Sequence, residues 1–582
     1  MTDIPPLHAP SLPPGSALLD DGARLAGDWQ LGGNAFLRDE NVPSEAAYKR
    51  RSAAEGRIMQ HAHIGFRNLE RTIHAMADLH ERAAGQDVRI DRFGITLDWT
   101  MGYPPDRRAT ATRGTGIVLN GPEDFARITD ACPAAAHFGD FMLGLPGALE
   151  NTKAALAAGA TAIGNLGQYF TFRLPYWDDD VATTGATVTA LGLIAAQEAD
   201  ILVHSNLDDG FAGLFEDMTS AFGMMLIEKH IVEDQIGARA SFCFGHHFSE
   251  PLTRRAFQAA LARVTQTPGT MIFGNTVSYR GAPAANYASL ASYLLADITA
   301  LGRSHSGHAV NPVPVTENAR IPDVDEILDA QLFAARLVDH APGHAALADD
   351  ALIERMADQL VTGGRRFADR ALAGLADRGV DITDPAALML AIRRLGARRM
   401  EALWGAGPLE EDRRQPLVAA DWARELHGMA EEWVTRQADL PGGMDRLTIA
   451  VATTDVHEHG AYLVRDALQR LGAGVIDAGV AVDAEVLADT ALEAGADAVA
   501  ISTYNGIALS YTRDVLRALE ARGHAMPVMV GGKLNAVPAE SNTGLPVDTS
   551  EEISRAGAVP CSSLDDMLPV LHACLSAPPR KA

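Results

Sequence analysis

Towards its C-terminal end the chain alternates short apolar runs with amphipathic stretches. An apolar run at 447–452 leads into Asp455-Val456-His457-Glu458-His459-Gly460, and a helix-like run follows over 461–471. The pattern then predicts a strand over 475–479, a helix over 483–493, a third strand over 498–502, a helix over 511–521, and a fourth strand over 527–532 that ends in Gly531-Gly532. Strands and helices alternating across short turns predict a doubly wound parallel sheet.

Upstream the alternation recurs with less regular punctuation. Apolar runs at 57–60, 93–98, 116–121, 134–138, 160–164, 201–205, 240–245, 270–275 and 309–315 are each followed by a polar or Gly-rich turn and a helical stretch, as at 148–158 and 254–264. Alternation over roughly 270 residues is the sequence form of a (β/α)8 TIM barrel, although this count exceeds the required strands by one. Residues 1–43 are rich in Pro and Gly and predict an extended N-terminal arm. A helix is expected over 44–55, with Ser44 as N-cap and Gly56 as stop. Periodicity from 324 to 440 is helical, with breaks at Gly363-Gly364 and Asp384-Pro385, and Leu440-Pro441-Gly442-Gly443 marks a boundary. The expected organisation is an arm (1–43), a barrel that binds substrate (44–323), a helical extension (324–440) and a doubly wound α/β domain (441–582).

Composition narrows the function classes. With 47% hydrophobic and 21% charged residues, the chain is that of an ordinary soluble globular protein. No apolar run approaches the roughly 20 residues of a membrane span. Residues 1–15 lack the basic and apolar segments of a secretory signal, so a cytoplasmic location and no membrane partner are expected. A net charge of −26 argues against nucleic acid as the partner, because phosphate-backbone affinity needs clustered Lys and Arg. Cys132, Cys243, Cys561 and Cys574 show neither CxxC nor zinc spacing and read as buried free thiols.

The order Asp455-x-His457-x-x-Gly460, then Ser502 at a third strand end, then Gly531-Gly532, resembles the cobalamin-binding signature, whose domain is flavodoxin-like. Imidazole suits a transition metal, and the hydrogen bond at its other nitrogen fixes which nitrogen binds. The resemblance implies His457 as the metal ligand beneath cobalt, oriented by Asp455. It implies Gly460, Gly531 and Gly532 where backbone must approach the cofactor's nucleotide tail, with Ser502 and the adjacent Thr503 at the buried benzimidazole. His459 lies off the pattern and reads as an exposed loop histidine.

A barrel followed by such a domain resembles a fusion of the two subunits of adenosylcobalamin-dependent glutamate mutase (methylaspartate mutase), over roughly residues 45–575. The likeness rests on Leu119-Asn120-Gly121, Leu174-Pro175-Tyr176, Pro314-Val315-Thr316-Glu317 and Glu401-Ala402-Leu403-Trp404-Gly405. It implies a radical isomerase, a carbon-skeleton mutase using adenosylcobalamin and its cobalt, with Gly65, Asn120 and Pro175 also touching the cofactor. The family's substrate arginines are absent. His61 or His63, the 100–102 region and His137 stand in their places, the family's glutamate falls near Asn165 or Leu166, and one of its tyrosines is Phe172. A buried carboxylate without a cation or several hydrogen bonds is strongly disfavoured, so the expected substrate is a small carboxylic acid other than glutamate.

Candidate substrate residues are Tyr176, Arg173, His137, His61 and His63. Arg173, Arg107, Arg108, Arg113 or Arg280 could anchor a carboxylate from a new direction; alternatively the histidines could hydrogen-bond a less charged molecule. Further polar residues at predicted strand ends include His204, Asn206, Asp208, Asp209, His246 and His247. A homo-oligomer, a dimer, is expected. The alternatives are a cobalamin-binding sensor or carrier and a corrinoid methyl-transfer protein.

Overall fold

The computed structural model describes residues 4–27, 31–111, 113–114, 116–279, 281–410, 413–437, 443–455, 458–504, 506–536 and 547–576. Two compact units emerge: Met1–Thr171 with Asp179–Asp421, and Phe172–Asp178 with Trp422–Ala582. The helix Asp421–Arg436 thus falls almost wholly in the second unit, upstream of the boundary expected at 440/441, of which Leu440, Pro441 and Gly442 lie outside the described residues. Its Ala430 and Trp433 bury against Ala467, which explains the assignment.

In the first unit, β1 (Met59–Ile64), β2 (Arg92–Ile95), β3 (Ala135–His137), β4 (Ala162–Ile163), β5 (Leu202–Asn206), β6 (Arg239–Cys243), β7 (Met271–Ile272) and β8 (Ala309–Val310) pair in parallel. Their ladders run β3-β2-β1-β8-β7 and β4-β5-β6. Single parallel bridges join Phe138 to Ile163 and Phe244 to Ile272. The run 116–121 is the surplus prediction: it makes one bridge, Ile117 to Leu97, and a Cβ at Gly116 would collide with the Leu97 backbone. The first strand begins later than the expected 57–60, because Arg57 is drawn into an ion pair with Asp91 at 2.6 Å. A short antiparallel pair, β9 (Leu409–Glu410) with β10 (Arg413–Arg414), is the last in this unit among the described residues.

The N-terminal arm is helical where an extended chain is expected. Helices Gly15–Gly27 and Ala35–Glu40 form there. Gly22 lies against the backbone of Thr189 and Leu193 in the helix Asp180–Ala195, and Leu18 is buried. The small residues that weaken local helix propensity permit this close tertiary approach, and the tertiary contact prevails. The helix Glu45–Ala54 is capped as expected, Ser44 Oγ accepting from Ala47 N at 3.3 Å. It buries Lys49, whose Nζ donates to Thr270 O at 3.0 Å and Gly307 O at 2.9 Å, just before β7 and β8. Burial pushes Lys49 down to about 7, and Glu45 holds both it (3.5 Å) and Arg92 (2.6 Å).

In the second unit, β11 (Thr448–Thr453), β12 (Gly474–Gly479), β13 (Ala498–Thr503), β14 (Val528–Gly532), and then, past the small antiparallel pair β15 (Asn535–Ala536) and β16 (Val547–Asp548), β17 (Val559–Cys561) complete the strands among the described residues. The parallel sheet is ordered β12-β11-β13-β14-β17, a flavodoxin-like arrangement in which all four expected strands form. Alternate residues of β11 serve separate cores: Ala450 and Ala452 on one face, Ile449 and Val451 on the other. Burial on both faces is what a parallel sheet covered by helices requires. The strand order reverses between β11 and β13, so their carboxyl ends define a switch-point crevice.

Among the described residues no helix is long and apolar enough to cross a membrane. Cys132, Cys243 and Cys561 are buried free thiols, while Cys574 is partly exposed.

Candidate functional site

Sheet register brings the signature residues of the second unit to one edge. Thr453 lies opposite Ser502, Ser502 opposite Gly531 and Thr503 opposite Gly532. Asp455, 4% exposed, follows β11, and its Oδ2 accepts from Tyr504 N and Thr454 Oγ1, each at 3.0 Å. His457 and Val456 lie outside the described residues, and the description resumes at Glu458. The helix His459–Arg470 begins immediately after, and a Cβ at Gly460 would fall inside the contact radius of Ser502 Oγ. His459 is not an exposed loop residue: it stacks on Trp422, with ring centroids 4.5 Å apart and planes 16° from parallel.

Behind this edge lies a cavity of about 200 Å³, lined by Gly460, Val464, Ser502, Gly531, Cys561 and Met567 among others. An apolar cavity of roughly 150 Å³ accepts benzene, so this one has room for a bicyclic aromatic base. Gly532 adopts φ +96°, and a Cβ there would strike Thr503 O. Thr503 Oγ1 is buried without a hydrogen-bond partner. Mostly apolar walls, close-approach glycines and the Ser502 hydroxyl fit a cobalamin nucleotide tail.

The first unit holds a second cavity, of about 90 Å³, at the carboxyl ends of its strands. His63, His137, His204 and His246 line it together with Asp140 and Asp209. The rings fit because glycines face them. A Cβ at Gly94, which pairs with both His63 and His137, would stand 2.6 Å from His61 Nε2 and 2.8 Å from His63 Nδ1; one at Gly139 would stand 2.7 Å from His137 Nε2. Ring centroids are 5.6 Å apart for His61 and His63, 6.0 Å for His61 and His137, and 4.5 Å for His137 and His204. Burial, reinforced by the Arg92 guanidinium, holds His61, His137 and His204 well below the usual imidazole range and pushes His63 down to about 4. These rings are neutral at pH 7.

In the same cavity, burial and the neighbouring Asp140 and Asp208 hold Asp209 well above the usual carboxyl range. Asp208 is also raised by burial and accepts from the backbone N–H groups of His246 (3.0 Å) and His247 (3.1 Å). Asn165, fully buried, donates to Asp209 Oδ2 at 2.8 Å and accepts from Asn206 N at 2.9 Å.

The structure therefore brings His61, His63 and His137 together and adds His204 and Asp140. His204 is readable as a strand-end residue; Asp140 follows its strand by three positions and carries no periodic signal. Arg173 and Tyr176 do not join this cluster: they fall in the 172–178 segment of the second unit, where Arg173 pairs with Asp178. Tyr176 is 62% exposed at φ +56°, and its N–H donates to Asp483 Oδ1 at 3.1 Å. Pro175 lies in the same segment. Gly65 follows β1 and packs near Ile321, whereas Asn120 is exposed and its amide donates to Asp124 Oδ2 at 3.2 Å.

Residues 446–551 match the model of the B12 binding domain. The chain therefore carries a B12-binding domain in its second unit, and the match covers the signature residues from Asp455 to Gly532. A novel cobalamin-binding protein from Desulfitobacterium hafniense DCB-2 is similar at 17% identity over 35% of this chain and 90% of that one; its TM-score of 0.20 is too low to bear on the fold.

Proposed function

We propose that the chain is an adenosylcobalamin-dependent carbon-skeleton mutase acting on a small polar molecule other than glutamate. One observation carries the reading: a B12-binding domain and a strand-end cavity of convergent imidazoles and carboxyls occur in a single chain. The eight parallel strands of the first unit are read as a (β/α)8 barrel. The bridges at Phe138–Ile163 and Phe244–Ile272 support this, since they fall where β3 would meet β4 and β6 would meet β7. Active sites of such barrels lie at the carboxyl ends of the strands.

On this reading His457 is the ligand to cobalt and Asp455 its support. Gly460, Ser502, Thr503, Gly531 and Gly532 hold the nucleotide tail. Adenosylcobalamin, when bound, supplies radical chemistry that no side chain provides; the chain's own residues bind and orient the substrate and keep water out. His63 and His137 face the substrate, and His61 supports them from behind. No Arg or Lys lines the described cavity, which argues against a dicarboxylate.

The test is hydrogen-isotope exchange between 5′-labelled adenosylcobalamin and a panel of small carboxylic acids, amino acids, hydroxy acids and amines, run anaerobically. Exchange with one class, lost in His457→Ala, is expected. Tight cobalamin binding with no exchange across the panel would favour a carrier or sensor, and methyl transfer from methylcobalamin to a thiol would favour a corrinoid methyl-transfer protein.

A further inference from the structure

We propose that the imidazole-lined cavity of the first unit binds a small primary amine, its ammonium group seated on the carboxyl groups of Asp140 and Asp209. This rests on the reading of that cavity as the substrate site, and it names the charge of the substrate.

Asp140 and Asp209 enter the cavity from the loops after β3 and β5, and their carboxyl groups are hydrogen-bonded to each other. Asn165 Nδ2 reaches both, at 2.8 Å from Asp209 Oδ2 and 3.4 Å from Asp140 Oδ1, and so fixes the pair from behind. Two carboxyls this close in a buried site do not both ionise, and they titrate as a pair that retains a proton. An ammonium group brings three N–H donors and one positive charge. It can replace the shared proton and leave both carboxyls ionised.

A second observation points independently to a polar occupant. His137 is 1% exposed and lines the same cavity, yet neither of its ring nitrogens has a hydrogen-bond partner. Buried polar side chains are nearly always partnered, so a ring held here by packing against Gly139 and His204 is positioned for a group that arrives with the ligand.

Two competing occupants fit less well. A metal ion needs converging ligands, and among the described residues no three His, Cys, Asp or Glu side chains form such a set; His137 and His204 instead meet edge to face, with planes at 88°. A carboxylate needs a cation, and here it would meet neutral imidazoles and the carboxyl pair. The volume of about 90 Å³ holds roughly three waters, so the group seated there is short and aliphatic.

The experiment is titration calorimetry of the full-length protein without cobalamin, using propylamine, 1-propanol, propionate and zinc chloride in turn. Propylamine is expected to bind at least about tenfold more tightly than 1-propanol or propionate, as for loss of a charged hydrogen bond in a buried site, and Asp209→Asn is expected to remove that preference. Equal binding of the three organic probes, or a preference that survives in both Asp209→Asn and Asp140→Asn, overturns the proposal. Stoichiometric zinc binding that displaces propylamine overturns it in favour of a metal. Circular dichroism checks that the variants fold; if they do not, the ranking of probes on the wild-type protein decides. No cobalamin is involved, so failure here leaves isotope exchange to judge the mutase reading alone. Amine preference with silent exchange would instead sink the mutase and keep the site.

Discussion

The two cavities are built in opposite ways. That of the second unit is made by leaving things out: glycines at 460, 531 and 532, small and apolar walls, and serine hydroxyls as its polar marks. That of the first unit is crowded with titratable groups whose charged forms burial disfavours. Shape suffices where the ligand brings its own chemistry. In the first unit desolvated polar groups are retained although their burial costs stability.

If shape governs the second unit, its most sensitive point is the glycine with least room. Gly532 lies at φ +96° with Thr503 O where a Cβ would go. Gly532→Val should weaken hydroxocobalamin binding by on the order of a hundredfold or more, because it adds strain and bulk beside the cavity mouth. Equilibrium dialysis reads the affinity. Calorimetric unfolding supplies the contrast, since only the transition raised by added cobalamin should shift. Binding that is unchanged in this variant would show that the tail does not pass this strand end.

In the first unit the corresponding lever is the proton. His137 stays neutral when folded far below the point at which the unfolded chain takes up a proton, near pH 6.5. Stability from its neutral state is therefore present above pH 6.5 and is lost as pH falls through it. At pH 5.5 one such ring costs about 1.4 kcal/mol. Glu228, pushed up to about 7, and Glu401, pushed up to about 8, act in the opposite sense over this range. Only a difference isolates the ring. His137→Gln should lose about 1.4 kcal/mol less than wild type between pH 7.5 and pH 5.5, measured by urea unfolding at each pH. An identical pH dependence in the two proteins would mean that His137 is protonated or solvated in the native state.

The same contrast explains what could be read in advance. The second unit was legible because its signal is local: Asp455, His457 and Gly460 fall within six consecutive residues of the sequence, and Ser502 and Gly531-Gly532 each end an apolar run. In the first unit the histidines were readable as strand-end residues, but their meeting was not. It depends on register, which sets Gly94 opposite His63 and His137, and on Gly139 and Gly164 yielding space to the rings of His137 and His204. Asp140 was missed because a loop residue three positions past its strand owes its place to Asn165, 25 residues away in sequence. The helix Gly15–Gly27 was missed because its glycines weaken it locally, and the use of Gly22 shows only against the helix Asp180–Ala195.

The smallest expected effect tests whether the second cavity relies on shape alone. Ser502 contributes a hydroxyl to its lining, at the centre of the sheet edge and in contact with Gly460. If that hydroxyl bonds the base, Ser502→Ala removes one neutral hydrogen bond, worth about 1 kcal/mol, and weakens cobalamin about fivefold. If it only fills space, alanine leaves affinity unchanged, and Ser502→Val, which adds a methyl against the first turn of the helix His459–Arg470, is the variant that hurts. Titration of hydroxocobalamin followed by its visible spectrum separates the two. A fivefold loss in alanine with a larger loss in valine gives both roles to one side chain; an alanine variant that binds as wild type would leave glycine-made shape as the whole of what this edge contributes to the base.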